Sequence, residues 1–167
     1  IQVLPSGTTS RVASIDLYEG SVDEAFAPMS VSLTLEDELD ISRGDVLVHQ
    51  ASPASLSRTI DATVVWMGED SLRPPQQLIL KHMTRYVRAE VTAVEWRLNM
   101  DTLAHEKADT LELNAIGKVK ITTHQPVVFD AYSDNRGAGC FVVVDPLSNN
   151  TIGAGMILAN IPEGEEK

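Results

Sequence analysis

The chain has 167 residues, of which 43% are hydrophobic and 22% are charged, and its formal net charge is −11. This length is enough for one ordinary domain or two small ones, and the composition is ordinary for a globular protein. The acidic balance argues against non-specific nucleic-acid binding, which needs a surplus of Lys and Arg. The longest apolar runs, such as "CFVVVD" and "GMILA", are far shorter than the roughly 20 residues of a membrane-spanning helix.

The first third of the chain is predicted to form strands. Apolar and polar residues alternate in "MSVSLTLED", which places Val31, Leu33 and Leu35 on one face. We predict strands at about 1–4, 11–17, 30–36 and in "DVLVHQ", separated by the turn-like stretches "LPSGTTS", "YEGSVDEAFAP" and "DISRGD". Since four strands are few for a closed barrel, we expect this module to lack its beginning or to borrow strands from elsewhere.

A boundary follows this module. The stretch "ASPASLSRT" is rich in Ser, Pro and Ala and shows no alternation, which is typical of a short linker. We therefore predict a module at 1–51, a linker at 52–58, a second module at 59–160 and an acidic tail at 161–167. Residues 1–51 carry nine acids and two bases, and residues 52–160 carry twelve acids and ten bases. Because the first residue is not Met, we expect the chain to be a fragment.

The second module also has a period of two. "TAVEWRLN" and "KVKITTH" alternate as half-buried strands do. We predict breaks at "GEDSLRPPQQ", "RAE", 99–114, "HQP", "SDNRGAG" and "PLSNNT", with room for one short helical turn within 99–114. Short strands between such turns predict an all-β barrel or sandwich.

Residues that could carry chemistry are few. "RGAGCFVVV" offers only a Gly-x-Gly pair and no phosphate-binding loop. The four histidines are widely scattered and are interpreted as solvated or structural: His49, His82, His105 and His124. The acidic run at 36–40 lacks the spacing of a calcium loop and is interpreted as a solvated strand edge. We predict no catalytic, cofactor-binding or metal-binding residue in the chain.

Cys140 is the single cysteine, so no internal disulfide can form. A lone cysteine favours a reducing compartment, and we expect a cytoplasmic protein. The neighbouring Gly139 and "FVVV" predict that Cys140 is a small buried hydrophobe.

Two other stretches have competing interpretations. "KHMTRYVRAE" is the one basic and aromatic cluster, and it predicts either a solvated strand face or a surface for another domain or subunit. "SRGD" contains the tripeptide that many adhesion ligands display. A turn is the simpler explanation, with Gly44 supplying the backbone angle and Arg43 and Asp45 flanking it.

The motifs resemble a known family. "LPSGTTSRVASI" and "DEAFAPMSVSLTLEDELDISRGDVLV" resemble the second domain of translation-factor-type GTPases, in which an element like that from Ile41 to Leu47 ends the domain. "LTLEDELDISRGDVLV" is more specific and looks like the large, GTPase subunit of bacterial sulfate adenylyltransferases. "DATVVWMGEDSLRP", "LNAIGKVKI" and "SDNRGAGCFVVVDPLSNNTIGAGMI" resemble the third domain of that subunit.

The resemblance implies an all-β fold of two small translation-factor-like β-barrels, the first one incomplete. It implies a parent protein whose GTP hydrolysis drives formation of adenylyl sulfate from ATP and sulfate. The family's GTP and Mg²⁺ site lies in a preceding domain, so we expect this chain alone to be inactive and to bind no cofactor. The implied partners are the small adenylyltransferase subunit, the GTPase domain and, in some members, a fused adenylylsulfate kinase domain, with neither nucleic acid nor membrane.

Asn135 and Arg136, in the family-like "SDNRGAG" turn, are candidates for a polar interface or for holding the turn. Two alternatives to the family function stay open. One is a barrel fragment of a translation elongation factor-type GTPase, and the other is a stand-alone β-barrel binding module.

Overall fold

The computed structural model describes residues 1–52 and 54–159, so the predicted acidic tail at 161–167 lies outside the described residues. Regular secondary structure in the described residues consists of strands alone, which confirms the all-β prediction. Contacts divide the chain into two compact units, Ile1–Pro53 and Ala54–Lys167. The strands are β1 (Gln2–Leu4), β2 (Val12–Leu17), β3 (Gly20–Val22), β4 (Ser32–Leu35), β5 (Val46–Val48), β6 (Ser55–Trp66), β7 (Gln76–His82), β8 (Arg85–Leu98), β9 (His105–Lys107), β10 (Ile116–Phe129), β11 (Cys140–Val144) and β12 (Thr151–Ile157).

The first unit contains two small antiparallel sheets. β1 pairs with β5, and a three-stranded sheet has the order β3-β2-β4. Ser10 joins distant parts of the unit, because its hydroxyl donates to Asp37 Oδ2 at 2.7 Å and accepts from the Asp37 amide at 3.3 Å. The described strands of this unit do not close into a barrel, and the incompleteness of this module stays a prediction.

Two details of the first unit differ from the sequence predictions. β3, at Gly20–Val22, lies within a stretch that was predicted to be a turn. It pairs with the end of β2 through a tight connection at Tyr18–Glu19. Alternation cannot predict a strand of only three residues. Leu33 is 38% exposed although its alternation predicts an inward face.

The second unit is a closed barrel of six strands. The sheet order is β10-β6-β12-β11-β7-β8, and β8 pairs again with β10 to complete the ring. β9 extends the sheet beyond β8. Closure removes unpaired strand edges from the ring, which is how small barrels avoid edge-to-edge association.

The barrel interior is filled by alternate residues of the long strands. In β6, Ile60, Ala62, Val64 and Trp66 are each at most 2% exposed, whereas the residues between them are partly exposed. β10 shows the predicted pattern, with Val119 and Ile121 fully buried and the intervening lysine half-buried. Alternation therefore predicts the inward face of these strands well.

Several predicted breaks in the second module are wrong. "RAE" is part of β8, because Arg88 and Glu90 alternate with buried Val87, Ala89 and Val91. "HQP" lies within β10, at an irregularity between Thr122 and Val127 where the pairing register shifts. A strand can thus continue through charged residues, as β8 does, or through a register irregularity, as β10 does.

Two further boundaries differ. Residues 55–58, predicted as part of the linker, are the first residues of β6, and residues 55–57 pair with β10 between Val127 and Phe129. The stretch 99–114 contains β9, which pairs with the end of β8. The start of β6 is determined by pairing with a strand about 70 residues away, which local composition does not reveal. β9 forms a short hairpin with the end of β8 and is too short for alternation to predict. No helix long and apolar enough to cross a membrane occurs among the residues that the structure describes.

Candidate functional site

The predicted site residues lie in the connection between β10 and β11, residues 130–139. The Asn135 side chain donates to Asp130 Oδ2 at 2.9 Å and accepts from the Ala138 amide at 3.4 Å. The Asn135 amide also donates to the Ala131 carbonyl at 2.9 Å. Asn135 therefore holds the turn together through both its side chain and its backbone.

Arg136 is exposed at the next position of the turn. Its guanidinium lies 5.9 Å from the centre of the Tyr132 ring, within range of a cation–π contact. The structure thus brings Arg136 onto an aromatic side chain beside the barrel. A role in an interface stays a prediction for Asn135 and for Arg136.

The barrel surface beside this turn carries an apolar row that crosses several strands. The outward row is defined by register-paired residues of β6, β12, β11, β7 and β8, in the order Val65, Ala154, Val142, Lys81 and Tyr86. Its first three members are aliphatic and half-buried. Lys81 Nζ lies 5.5 Å from the centre of the Tyr86 ring. A solvated sheet face is normally polar, so three adjacent aliphatic side chains are unusual here.

A groove of about 620 Å³ runs along the first four members of the outward row, within the size range of ligand pockets. Met83 and Met156 extend its apolar lining, and Arg136 and Tyr132 border it at the turn. Of the described residues that line the groove, Lys81 and Arg136 are the charged ones. The groove therefore combines an apolar floor with two cations.

Cys140 also lines this groove and is exposed, so the prediction of a buried small hydrophobe is wrong. Along β11 the core receives Phe141 and Val143, and the alternation turns Cys140 and Val142 outward. The run "CFVVV" is apolar at both alternating sets of positions, which hides the direction of each side chain.

The opposite outer surface of the barrel is charged. Lys118 of β10 lies between two neighbouring strands, with Nζ 2.7 Å from Glu95 Oε2 and 3.5 Å from Asp61 Oδ2. The hydrogen bond to Glu95 is the main reason that the pKa of Lys118 is raised above its ordinary value.

The tight β7–β8 hairpin divides the basic cluster "KHMTRYVRAE" between two strands, so that its members point in different directions. His82 is 4% exposed, and its Nδ1 and Nε2 each lie 2.9 Å from a carbonyl oxygen, of Cys140 and of Val128 respectively. His82 is therefore structural and ties three strands together. Arg85 donates to Gln125 Oε1 at 2.7 Å. Lys81 is the basic residue of this stretch that lines the groove, and Met83 of the same stretch lines it too.

The remaining candidates of the sequence lie apart from the groove. His105 stacks on Trp96 with 3.8 Å between ring centres, and His49 Nδ1 accepts from the Ala51 amide at 3.1 Å. Within residues 1–52 and 54–159, no three His, Cys, Asp or Glu side chains are grouped as metal ligands. In "SRGD", the carboxylate of Asp45 accepts from the Ser42 amide at 2.9 Å, and Gly44 has φ of 104°. These contacts fit the turn interpretation.

The turn between β11 and β12 allows a test by pH. Asp145 Oδ2 accepts from the Ser148 hydroxyl at 2.5 Å and from the Ser148 amide at 2.7 Å. The hydroxyl is the larger cause of the lowered pKa of Asp145. Ser148→Ala should raise this pKa towards its ordinary value, as measured by carboxyl NMR titration. Ser148→Thr keeps the hydroxyl and should leave the pKa low.

The sign of the linked stability follows from the direction of the shift. Because the pKa of folded Asp145 is depressed, its contribution is present above the ordinary aspartate pKa of about 3.9 and is lost as pH falls through the folded pKa. As pH falls below about 4, Ser148→Ala should therefore lose less stability than the unsubstituted chain. An unchanged titration of Asp145 in Ser148→Ala would contradict the assignment.

The closed six-stranded barrel with its bordering turn defines the class of the second unit: a small all-β barrel domain. Two solved structures of Sup35, complexed with GDP and with GMPPNP, each match 94% of this chain and 39% of theirs, with a TM-score of 0.82 and 17% identity. That likeness shows the fold. The chain belongs to the GTP-eEF1A C-terminal domain-like family, whose model matches residues 59–158.

Curated relatives are similar over nearly the whole chain. Sulfate adenylyltransferase subunit 1 of Saccharophagus degradans is 42% identical over 99% of the chain, and that of Chromobacterium violaceum is 46% identical over 98%. The bifunctional enzyme CysN/CysC of Mycobacterium tuberculosis is 40% identical over 96%. The predicted resemblance is thus confirmed. The chain spans 35%, 34% and 26% of the lengths of these three relatives.

Proposed function

We propose that this chain forms the two β units of the GTP-hydrolysing subunit of a sulfate adenylyltransferase. The single observation that carries the proposal is the 42% identity to a sulfate adenylyltransferase subunit 1 over 99% of the chain. In this role GTP hydrolysis by the whole subunit drives the formation of adenylyl sulfate from ATP and sulfate. GTP and Mg²⁺ bind elsewhere in the subunit, and the chain by itself has no activity.

The proposed role of the chain is to couple the nucleotide state of the GTPase domain to a partner subunit. A closed barrel is a rigid support for such contacts, and the groove beside Arg136 offers a surface with an apolar floor. The proposed partners are a small adenylyltransferase subunit and the GTPase domain. A fused adenylylsulfate kinase domain is compatible with the similarity to a bifunctional enzyme CysN/CysC. A cytoplasmic location belongs to the same proposal and is supported by the single cysteine.

Co-purification tests this proposal. The tagged chain, residues 1–167, should retain the small adenylyltransferase subunit of the same organism, and the full-length large subunit should do the same. The full-length pair should form adenylyl sulfate in a GTP-dependent reaction, whereas the chain with the small subunit should form none above the small subunit alone. If only the full-length subunit retains the partner, docking does not reside in these residues. GTP-independent adenylyl sulfate formation by the full-length pair would contradict the proposed activity.

A further inference from the structure

We propose that the groove binds an acidic segment of a partner protein. One apolar side chain of this segment would lie on Val65, Ala154 and Val142, and its flanking carboxylates would reach Lys81 and Arg136. The inference gives recognition chemistry to the proposed docking role and rests on that role. It does not depend on sulfate activation.

The sequence of β11 supports a covered outer face. Cys140 and Val142 alternate with Phe141 and Val143, so both faces of the strand are apolar over these four residues. Strands with two apolar faces are typical of sheets that are covered on both sides. In the barrel the core covers Phe141 and Val143, and Cys140 is left exposed on the other face.

The positive charge of the groove favours an acidic ligand. The chain has a net charge of −11, yet the charged residues that line the groove are cations. Among described residues, neither Lys81 nor Arg136 forms an ion pair with a carboxylate. Both cations instead lie over tyrosine rings, which holds them at the rim of the groove. An acidic segment would supply the missing partners, and a basic segment would be repelled.

Cys140 provides a direct readout because it lines the groove and is the only cysteine of the chain. The probe is the peptide acetyl-Asp-Glu-Leu-Leu-Glu-Asp-amide, and the measurement is the rate at which iodoacetamide alkylates Cys140, followed by mass spectrometry. At nine-tenths occupancy the peptide should slow alkylation about tenfold. Two matched peptides serve as controls, one with Lys at every acidic position and one with Ser in place of both Leu residues. Neither should protect Cys140 at the same concentration.

Charge-reversed variants test the two cations separately. Lys81→Glu and Arg136→Glu should each raise the peptide concentration needed for half-protection of Cys140 about tenfold. Arg73→Glu makes the same charge change at an exposed loop residue outside the groove, and it should leave protection unchanged. Tryptophan fluorescence verifies that each variant is folded, and Lys81→Gln and Arg136→Gln replace any variant that is not.

Other outcomes would overturn the inference. Equal protection by the three peptides, or by none of them, would remove the acidic and apolar requirement. Protection by an oligouridylate as strong as that by the acidic peptide would show that phosphate is the ligand. Protection that grows with chain concentration without peptide would identify a second copy as the occupant. If the small subunit co-purifies with the chain while the acidic peptide fails, this inference is wrong and the proposed function stands.

Discussion

Gly139→Ala should destabilise the barrel by about 3 kcal/mol, because a methyl group has no space at this position. A Cβ on Gly139 would lie 2.5 Å from the backbone nitrogen of Tyr132 and closer still to the Tyr132 Cα. The surrounding backbone cannot shift freely. The Ile157 amide donates to the Gly139 carbonyl at 2.7 Å, and the Tyr132 amide donates to the Ile157 carbonyl at 2.9 Å.

Gly137→Ala is the matched control in the same turn. A Cβ on Gly137 would meet only the Asn135 side-chain oxygen, at 3.6 Å, which is ordinary contact. Its substitution should change the free energy of unfolding by about 0.5 kcal/mol or less. Urea unfolding followed by tryptophan fluorescence measures both variants, since Trp66 and Trp96 both belong to the second unit. Equal effects of the two substitutions would contradict the close approach at Gly139.

The sequence predicts the strands of the second unit better than their ends. Alternation in β8 and β10 places Val94, Val119 and Ile121 on the inward face, as the structure does. The continuation of β8 through "RAE" depends on pairing with β7 and β10, which lie on either side of it in the ring. Alternation is a local property of the chain. Pairing between residues distant in sequence is not, so it decides where strands begin and end.

The candidate site was predicted less completely than the fold. The turn at 130–139 is visible in its Asn and Gly content, and Asn135 does hold it. The groove was missed because its members lie far apart in sequence: Val65, Lys81, Val142 and Ala154. The continuous apolar run "CFVVV" was the available signal, since one of its two faces had to point away from the core.

Leu111→Ala should also cost about 3 kcal/mol of barrel stability, through lost burial and the cavity left behind. Leu111 and Leu72 are fully buried, and their backbones form two hydrogen bonds, of 2.8 and 3.1 Å, between separate connections of the barrel. Leu111 also fills the space beside Gly117, where a Cβ would lie 2.6 Å from its Cδ2. Leu111 lies in a connection and not in a strand of the ring. Its truncation therefore leaves a cavity beside Leu72 and Gly117.

Leu113→Ala is the control for this change, because Leu113 is two residues away and 50% exposed. It should shift the free energy of unfolding by about 0.5 kcal/mol or less. In "TLELN" the two leucines are equivalent by alternation, so only the bridge from Leu111 to Leu72 distinguishes them. The same urea unfolding measurement separates the two variants. A large loss for Leu113→Ala with a small one for Leu111→Ala would mean that the connection at 108–115 lies against the barrel by its other face.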